Sequence, residues 1–163
     1  MKREDAEFIC EVRADPERAR YLHPIAPDPD AQRRWIEAYF DRPSDYYFMI
    51  ESRDGQSPEG TVGIYNVNHR TAEWGRWIVR RGSNAALESA ELLYRAAFET
   101  LGLESVYCRT ISENRAVLEI HRRFGMEQVR TLPGYFELDG RLLDAVETRL
   151  TAEHWRTRHL QPA

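Results

Sequence analysis

Apolar residues follow two different periods along this chain. From Glu4 to Ala14, Phe8, Ile9 and Val12 recur at helical spacing, and Asp15-Pro16 closes the segment. Pro24, Pro27 and Pro29 then fall within a few residues and predict an irregular connection. Asp28 as N-cap, with Pro29 at the first helical position, predicts a helix to about Asp41, with Trp35, Ala38 and Tyr39 on one side. Period-two runs follow at Tyr46 to Ser52, Gly60 to Val67 and Ala72 to Arg80. In the third run alternation places Glu73, Gly75, Trp77 and Val79 on one face, and Trp74, Arg76 and Ile78 on the other.

A long helix is predicted from about Ala85 to Leu101. Ala86, Ala90, Leu93, Ala97 and Leu101 form its apolar stripe, Tyr94 and Phe98 widen it, and Gly102 ends it. A strand from Ser105 to Thr110 leads to a helix from Asn114 to about Phe124, capped by Ser112 and stopped by Gly125. The tail reads as strands Met126 to Thr131, Tyr135 to Leu138 and Leu142 to Leu150, with a hairpin turn at Asp139-Gly140 and a short terminal helix. This order predicts one α/β domain over residues 1–163: a mixed, mostly antiparallel sheet with flanking helices, two of them crossovers.

Composition narrows the classes. Hydrophobic residues are 42% and charged residues 31%, enough for a single core and far from a disordered chain. No run of about 18 apolar residues predicts a spanning helix, so no membrane partner is expected. The opening MKREDAEFIC does not read as a secretory signal. Cys10 and Cys108 are too few for a disulfide framework or a cysteine zinc site, and the histidines are scattered, so no metal is expected and the default address is cytoplasmic. A net charge of −4 without a basic stripe argues against nucleic acid.

The junction VRRGSNAALESAELL is the most informative local feature. A strand turns through small residues directly into a helix, whose first N–H groups and dipole attract anions. Gly82, Ser83, Asn84, Ala85 and Ala86 let a phosphate approach the backbone, Asn84 tolerates the left-handed conformation, and Arg81 adds a fork. The same residues also suit an ordinary capped strand-to-helix turn.

In order along the chain stand AEWGRWIV, RGSNAALESA, LLYRAAFETLGLESVYCRT and ENRAVLEIHRRFGMEQV. Together they resemble the GNAT superfamily of acyl-CoA-dependent N-acyltransferases over nearly the whole chain, and most of all its branches that acetylate nucleotide-linked amino sugars or protein N-termini. The resemblance implies acetyl-CoA as cofactor and a small-molecule amine as acceptor. It also implies direct acyl transfer in a sheet splayed between the strands Ala72 to Arg80 and Ser105 to Thr110. A protein N-terminus, or acyl-CoA binding without catalysis, are the alternatives.

Further expectations follow from the resemblance. Arg81 to Ala86 match the turn that holds the cofactor diphosphate, with Asn84 where a glycine is usual. Trp77, Ile78 and Val79 would offer backbone groups to the pantetheine arm, and Asn114 would lie beside it. His121 stands where the family places a tyrosine acid, and Glu73 where a carboxylate base is common; either could instead be structural, Glu73 paired with Arg76 or Arg109. His23, Gln32, Trp35 and Tyr47 correspond to the region where relatives build the acceptor wall, and each could instead be structural. Relatives open with a strand that is absent or shortened before this first helix, which would leave a sheet edge open to homodimerisation.

Overall fold

The computed structural model describes residues 1–54 and 57–159. A short 3-10 turn (Arg3–Asp5) leads into α1 (Ala6–Ala14), and α2 covers Pro29–Phe40. Strands β1 (Tyr46–Glu51), β2 (Pro58–Asn68) and β3 (Thr71–Val79) follow, then α3 (Ala86–Arg95). β4 (Ser105–Ile111), α4 (Arg115–Arg123), β5 (Glu127–Leu138), β6 (Arg141–Thr151) and α5 (Ala152–His159) complete the chain. The six strands are ordered β1-β2-β3-β4-β6-β5. β1/β2, β4/β6 and β5/β6 are antiparallel, whereas β3 and β4 are parallel, as the crossover through α3 requires.

The β3/β4 ladder has three rungs: Thr71↔Ser105, Ala72↔Val106 and Glu73↔Tyr107. Beyond them β4 continues to Ile111 paired with β6, while β3 continues to Val79. The expected mixed, mostly antiparallel sheet is therefore the one observed.

Several local expectations need correction. The two strands expected at Met126 to Thr131 and Tyr135 to Leu138 are one, β5, on a single partner, β6. Pro133 and Gly134 make a register slip between Leu132 and Phe136, with Gly134 at φ +58° and its N–H donating to Asp144 Oδ1 at 2.8 Å. Asn114, not Ser112, caps α4, its Oδ1 accepting from Val117 N at 3.4 Å; the Ser112 N–H donates to Asp144 O. The helix expected to reach Leu101 is α-helical only to Arg95 and then widens into a π turn, Ala96–Thr100, where Leu101 N reaches Ala96 O at 2.9 Å.

β3 also departs from strict alternation. Arg76 sits at φ +51°, which shifts the phase of the strand. As a result Trp74 and Trp77, expected on opposite faces, both reach α3: Trp74 makes an edge-on contact with Tyr94, and Trp77 Nε1 donates to Ser89 Oγ at 3.2 Å.

The chain resolves into two compact units. The first holds Met1–Tyr65 and Arg76–Ser89, with a core of Ala6, Ile9, Ile36, Tyr39 and Tyr47. In it β2 passes so close to β3 that a Cβ on Gly60 would lie 2.2 Å from Ile78 O. The second unit holds Asn66–Gly75 and the chain from Ala90 onward. Its core is aromatic: the Tyr94 ring lies 5.5 Å from Trp74, 5.3 Å from Phe124 and 5.3 Å from Trp155. Tyr94 donates its hydroxyl proton to Met126 Sδ at 3.2 Å, so its polar tip is satisfied inside the core. Each such side chain, fully buried, contributes about 1.5–3 kcal/mol.

Candidate active site

The turn after β3 is built from its small residues. Gly82 takes φ +81°, and a Cβ there would meet nothing within 4 Å. The left-handed residue is thus Gly82; Asn84, expected to supply it, lies outside that region. Ser83 donates its N–H to Arg80 O at 3.3 Å and accepts from Ala85 N with its hydroxyl at 3.1 Å, which fixes the turn just before α3. The amides of Ala86, Leu87 and Glu88 open the helix and have no acceptor within it, and the next, Ser89 N–H, donates to Ala85 O at 2.8 Å. Arg81 stands 59% exposed and forks onto Asp15 at 3.2 and 3.3 Å, with Glu17 at 2.8 Å; these carboxylates raise its pKa. A positive helix end, an open glycine and a surface arginine fit the diphosphate of coenzyme A. Trp77 and Val79 are half-buried and Ile78 is buried, on the strand that leads into this turn.

Glu73 occupies the last rung shared with β4 and is 8% exposed. Its Oε2 accepts from Asn66 Nδ2 at 3.0 Å and from Arg109 Nη1 at 3.2 Å. Asn66 reaches it from the end of β2, where the backbone turns through φ +53°, a conformation asparagine tolerates. Arg109 also donates to Glu147 Oε2 at 3.0 Å, its direct cross-strand partner on β6, and Arg130 joins the same oxygen at 3.0 Å. Burial works to lower the pKa of Arg109, but Glu147 and Glu73 outweigh it and the result is a rise. Burial alone would raise that of Glu147; its two arginines reverse this and hold the carboxyl below its usual value. Tyr107 and Tyr135 lie 4.9 and 5.3 Å from the Arg109 guanidinium. Two carboxylates balanced by two arginines give a neutral cluster that fixes Glu73 in one orientation.

His121, on α4, is 1% exposed. Its Nδ1 lies 3.2 Å from Thr148 Oγ1, its ring lies 5.2 Å from Trp74, and its Nε2 has no hydrogen-bond partner. Burial pushes its pKa down to about 4, so the imidazole is neutral at pH 7. Asn114, expected beside the cofactor arm, spends its Oδ1 on the α4 cap.

Of the expected acceptor residues, the structure brings Trp35 and Tyr47 together, edge to face at 5.8 Å. The Tyr47 hydroxyl donates to Thr61 Oγ1 at 3.1 Å, and Thr61 donates on to Arg76 O at 3.1 Å. Burial raises the Tyr47 pKa. Gln32 is half-buried on α2, and His23 lies exposed in the proline-rich connection, its carbonyl accepting from Arg13. The sequence reading missed what stands against Trp35 and Tyr47: the Arg76 side chain, paired with Asp45. Nothing in the period-two pattern signals it, because the contact depends on the phase shift at Arg76 itself.

Among the described residues no cluster of His, Cys, Asp and Glu could hold a metal ion. No described helix is long and apolar enough to cross a membrane.

A family model for the acetyltransferase (GNAT) domain matches residues 1–127. The fold is similar to that of apo FdhC, described as a nucleotide-linked sugar GNAT: TM-score 0.81, 29% identity, 99% of this chain and 89% of that one. It is also similar to spermidine N-acetyltransferase from Vibrio cholerae solved with CoA and spermine: TM-score 0.85, 19% identity, covering 95% and 94%. The second likeness is one of fold. With most of the chain matched, and with a helix-start turn suited to a diphosphate, the protein belongs to the GNAT family and is an acetyl-CoA-dependent N-acetyltransferase.

Proposed function

We propose that this enzyme acetylates the primary amine of a small, nucleotide-linked amino sugar, with Glu73 as the base. The observation that carries the reading is the setting of Glu73. It sits where the β3/β4 ladder ends, held at one oxygen by Asn66 and Arg109, on the strand that runs into the diphosphate turn. The sugar acceptor is supported by the likeness to FdhC, at 29% identity over 99% of this chain. When bound, acetyl-CoA supplies the activated acetyl group.

The chain's own residues do the rest. An amine attacks only as the neutral base, and Glu73, directly or through one water, takes the ammonium proton. Arg109 and Asn66 hold that carboxylate at Oε2, and Arg109 is shared with Glu147. A backbone amide at Trp77 or Ile78, just past the phase shift, is the donor for a developing oxyanion. Arg81 and the first amides of α3 hold the diphosphate, with Arg81 exchanging Asp15 and Glu17 for phosphate oxygens. His121 takes the packing role its sequence position also allowed, because a sealed, neutral ring that touches Trp74 and Thr148 is placed to support the core. A cytoplasmic setting accompanies this reading, Cys10 and Cys108 being buried free thiols.

The test is release of free thiol from acetyl-CoA with nucleotide-linked amino sugars, spermidine and peptides offered as acceptors. Turnover is expected on the sugars; turnover on peptides alone moves the assignment to protein N-termini. Glu73→Gln should lower kcat by about 10²–10⁴-fold while leaving cofactor affinity near that of the unaltered enzyme. An unchanged kcat removes Glu73 from the mechanism.

A further inference from the structure

Aromatic rings gather around the guanidinium of Arg76, whose side chain stays 27% exposed. The rings of Trp35, Tyr39, Tyr47 and Tyr65 lie 5.9, 5.9, 5.8 and 4.3 Å from it. Asp45 closes the arrangement with two parallel hydrogen bonds, from Nη1 at 2.8 Å and Nη2 at 3.1 Å. Significant cation–π contacts occur about once per 70–80 residues, so several rings converging on one cation mark a built cation site. The backbone beneath is clamped as well: Arg76 holds φ +51°, and Thr61 donates to its carbonyl. Arg42 lies against the outer part of the same cluster, 5.3 Å from Trp35 and 6.0 Å from Tyr39.

We propose that Arg76 is a specificity-determining residue: its guanidinium is a resident cation that fills an aromatic cation site on the acceptor side, closing it to acceptors that carry a second positive charge. The proposal rests on the reading of Trp35 and Tyr47 as acceptor-wall residues. Aromatic faces with a carboxylate are the chemistry that would seat the remote ammonium of a diamine or polyamine. Here Arg76 already satisfies both the rings and Asp45, so a cationic acceptor finds its counter-site taken. A neutral or phosphate-bearing acceptor has no use for that site and loses nothing.

The experiment empties the site. Arg76→Gly removes the side chain while keeping a residue that adopts a positive φ without strain. Circular dichroism checks its fold. Calorimetric titration with methylguanidinium should show binding to Arg76→Gly and none to the unaltered protein, and adding Asp45→Asn should abolish it. Arg42→Gln on the same background guards against Arg42 swinging inward and should leave binding intact or stronger. Agmatine, a primary amine tethered to a guanidinium, should gain about tenfold in kcat/KM with Arg76→Gly. A folded Arg76→Gly that binds no methylguanidinium overturns the cation site. Binding without any gain on agmatine overturns the specificity role and, with it, the placing of Trp35 and Tyr47 on the acceptor side, whereas the Glu73 assignment stands or falls by its own variant. Should Arg76→Gly fail to fold, methylguanidinium in the refolding buffer should recover it with increasing concentration, and an absence of rescue overturns the proposal.

Discussion

Lowering the pH tests the account of His121. In the folded protein its pKa is about 4, driven down by burial, against an ordinary 6.5 once the chain unfolds. Between those values the unfolded chain binds a proton that the folded chain refuses, so stability rises with pH across this window and falls as acid is added. The penalty begins below pH 6.5 and is complete near pH 4. A gap of this size, at 1.36 kcal/mol per pH unit, corresponds to about 3 kcal/mol. That is a large part of the 5–15 kcal/mol typical of a domain. Urea unfolding of the unaltered protein and of His121→Leu, measured at steps from pH 7 to pH 4, isolates the effect. Other titrating groups are common to both proteins and cancel in the difference. The leucine variant removes an Nε2 that has no hydrogen-bond partner together with the Nδ1 contact to Thr148, so its stability at pH 7 should fall by no more than about 1–2 kcal/mol, while the acid-dependent loss shrinks by about 3 kcal/mol. Equal slopes in the two proteins, or an imidazole proton resonance that titrates near pH 6.5 in the folded state, would refute the burial argument.

Two more outcomes follow from close geometry. Gly60→Ala drives a Cβ to 2.2 Å from Ile78 O and 3.0 Å from Val79 Cα; neither backbone atom can give way locally. It should cost at least about 3 kcal/mol, read as a fall in Tm of roughly 6–12 °C. Gly102→Ala, at φ +63° with open space around it, should cost only about 1 kcal/mol from backbone strain. Equal melting shifts for the two would show that the β2–β3 approach is not as close as described. Arg81→Ala should leave Tm nearly unchanged, because its pairs with Asp15 and Glu17 are solvated. It should nevertheless weaken coenzyme A binding several-fold at low salt and less at high salt, measured by calorimetry.

Much of this fold was legible because its signals are local. Asp28-Pro29 opened α2 where expected, Gly102 and Gly125 fell at positive φ after their helices, and the Asp139-Gly140 turn joined β5 to β6. What escaped depended on partners distant along the chain. Pro133-Gly134 carries an ordinary turn signal, yet Asp144 on the neighbouring strand captures the Gly134 N–H and makes it a kink in one strand. Alternation failed in β3 because a non-glycine residue, Arg76, is held at positive φ by Asp45, the surrounding rings and Thr61. Glu73 and Arg109 could be paired in advance, but Glu147 and Arg130 could not, since the β4/β6 register is set by the whole hairpin. The turn at Arg81 was recognisable by its small residues, although the left-handed place fell to Gly82.

The kinked outer strand has a consequence for how crowded solutions of this protein should behave. β5 stands at one end of the strand order, with Val129 and Tyr135 about half exposed and Leu142, opposite Glu137 on β6, at 71%. Exposed apolar side chains such as Val129 and Tyr135 along a straight, unpaired row of amides would invite another chain to zip on. Pro133 leaves a gap in that row, Gly134 bends it, and Arg130 adds charge beside it. A passing molecule meets a broken template there, so oily side chains on this rim can face water without seeding fibrous aggregates.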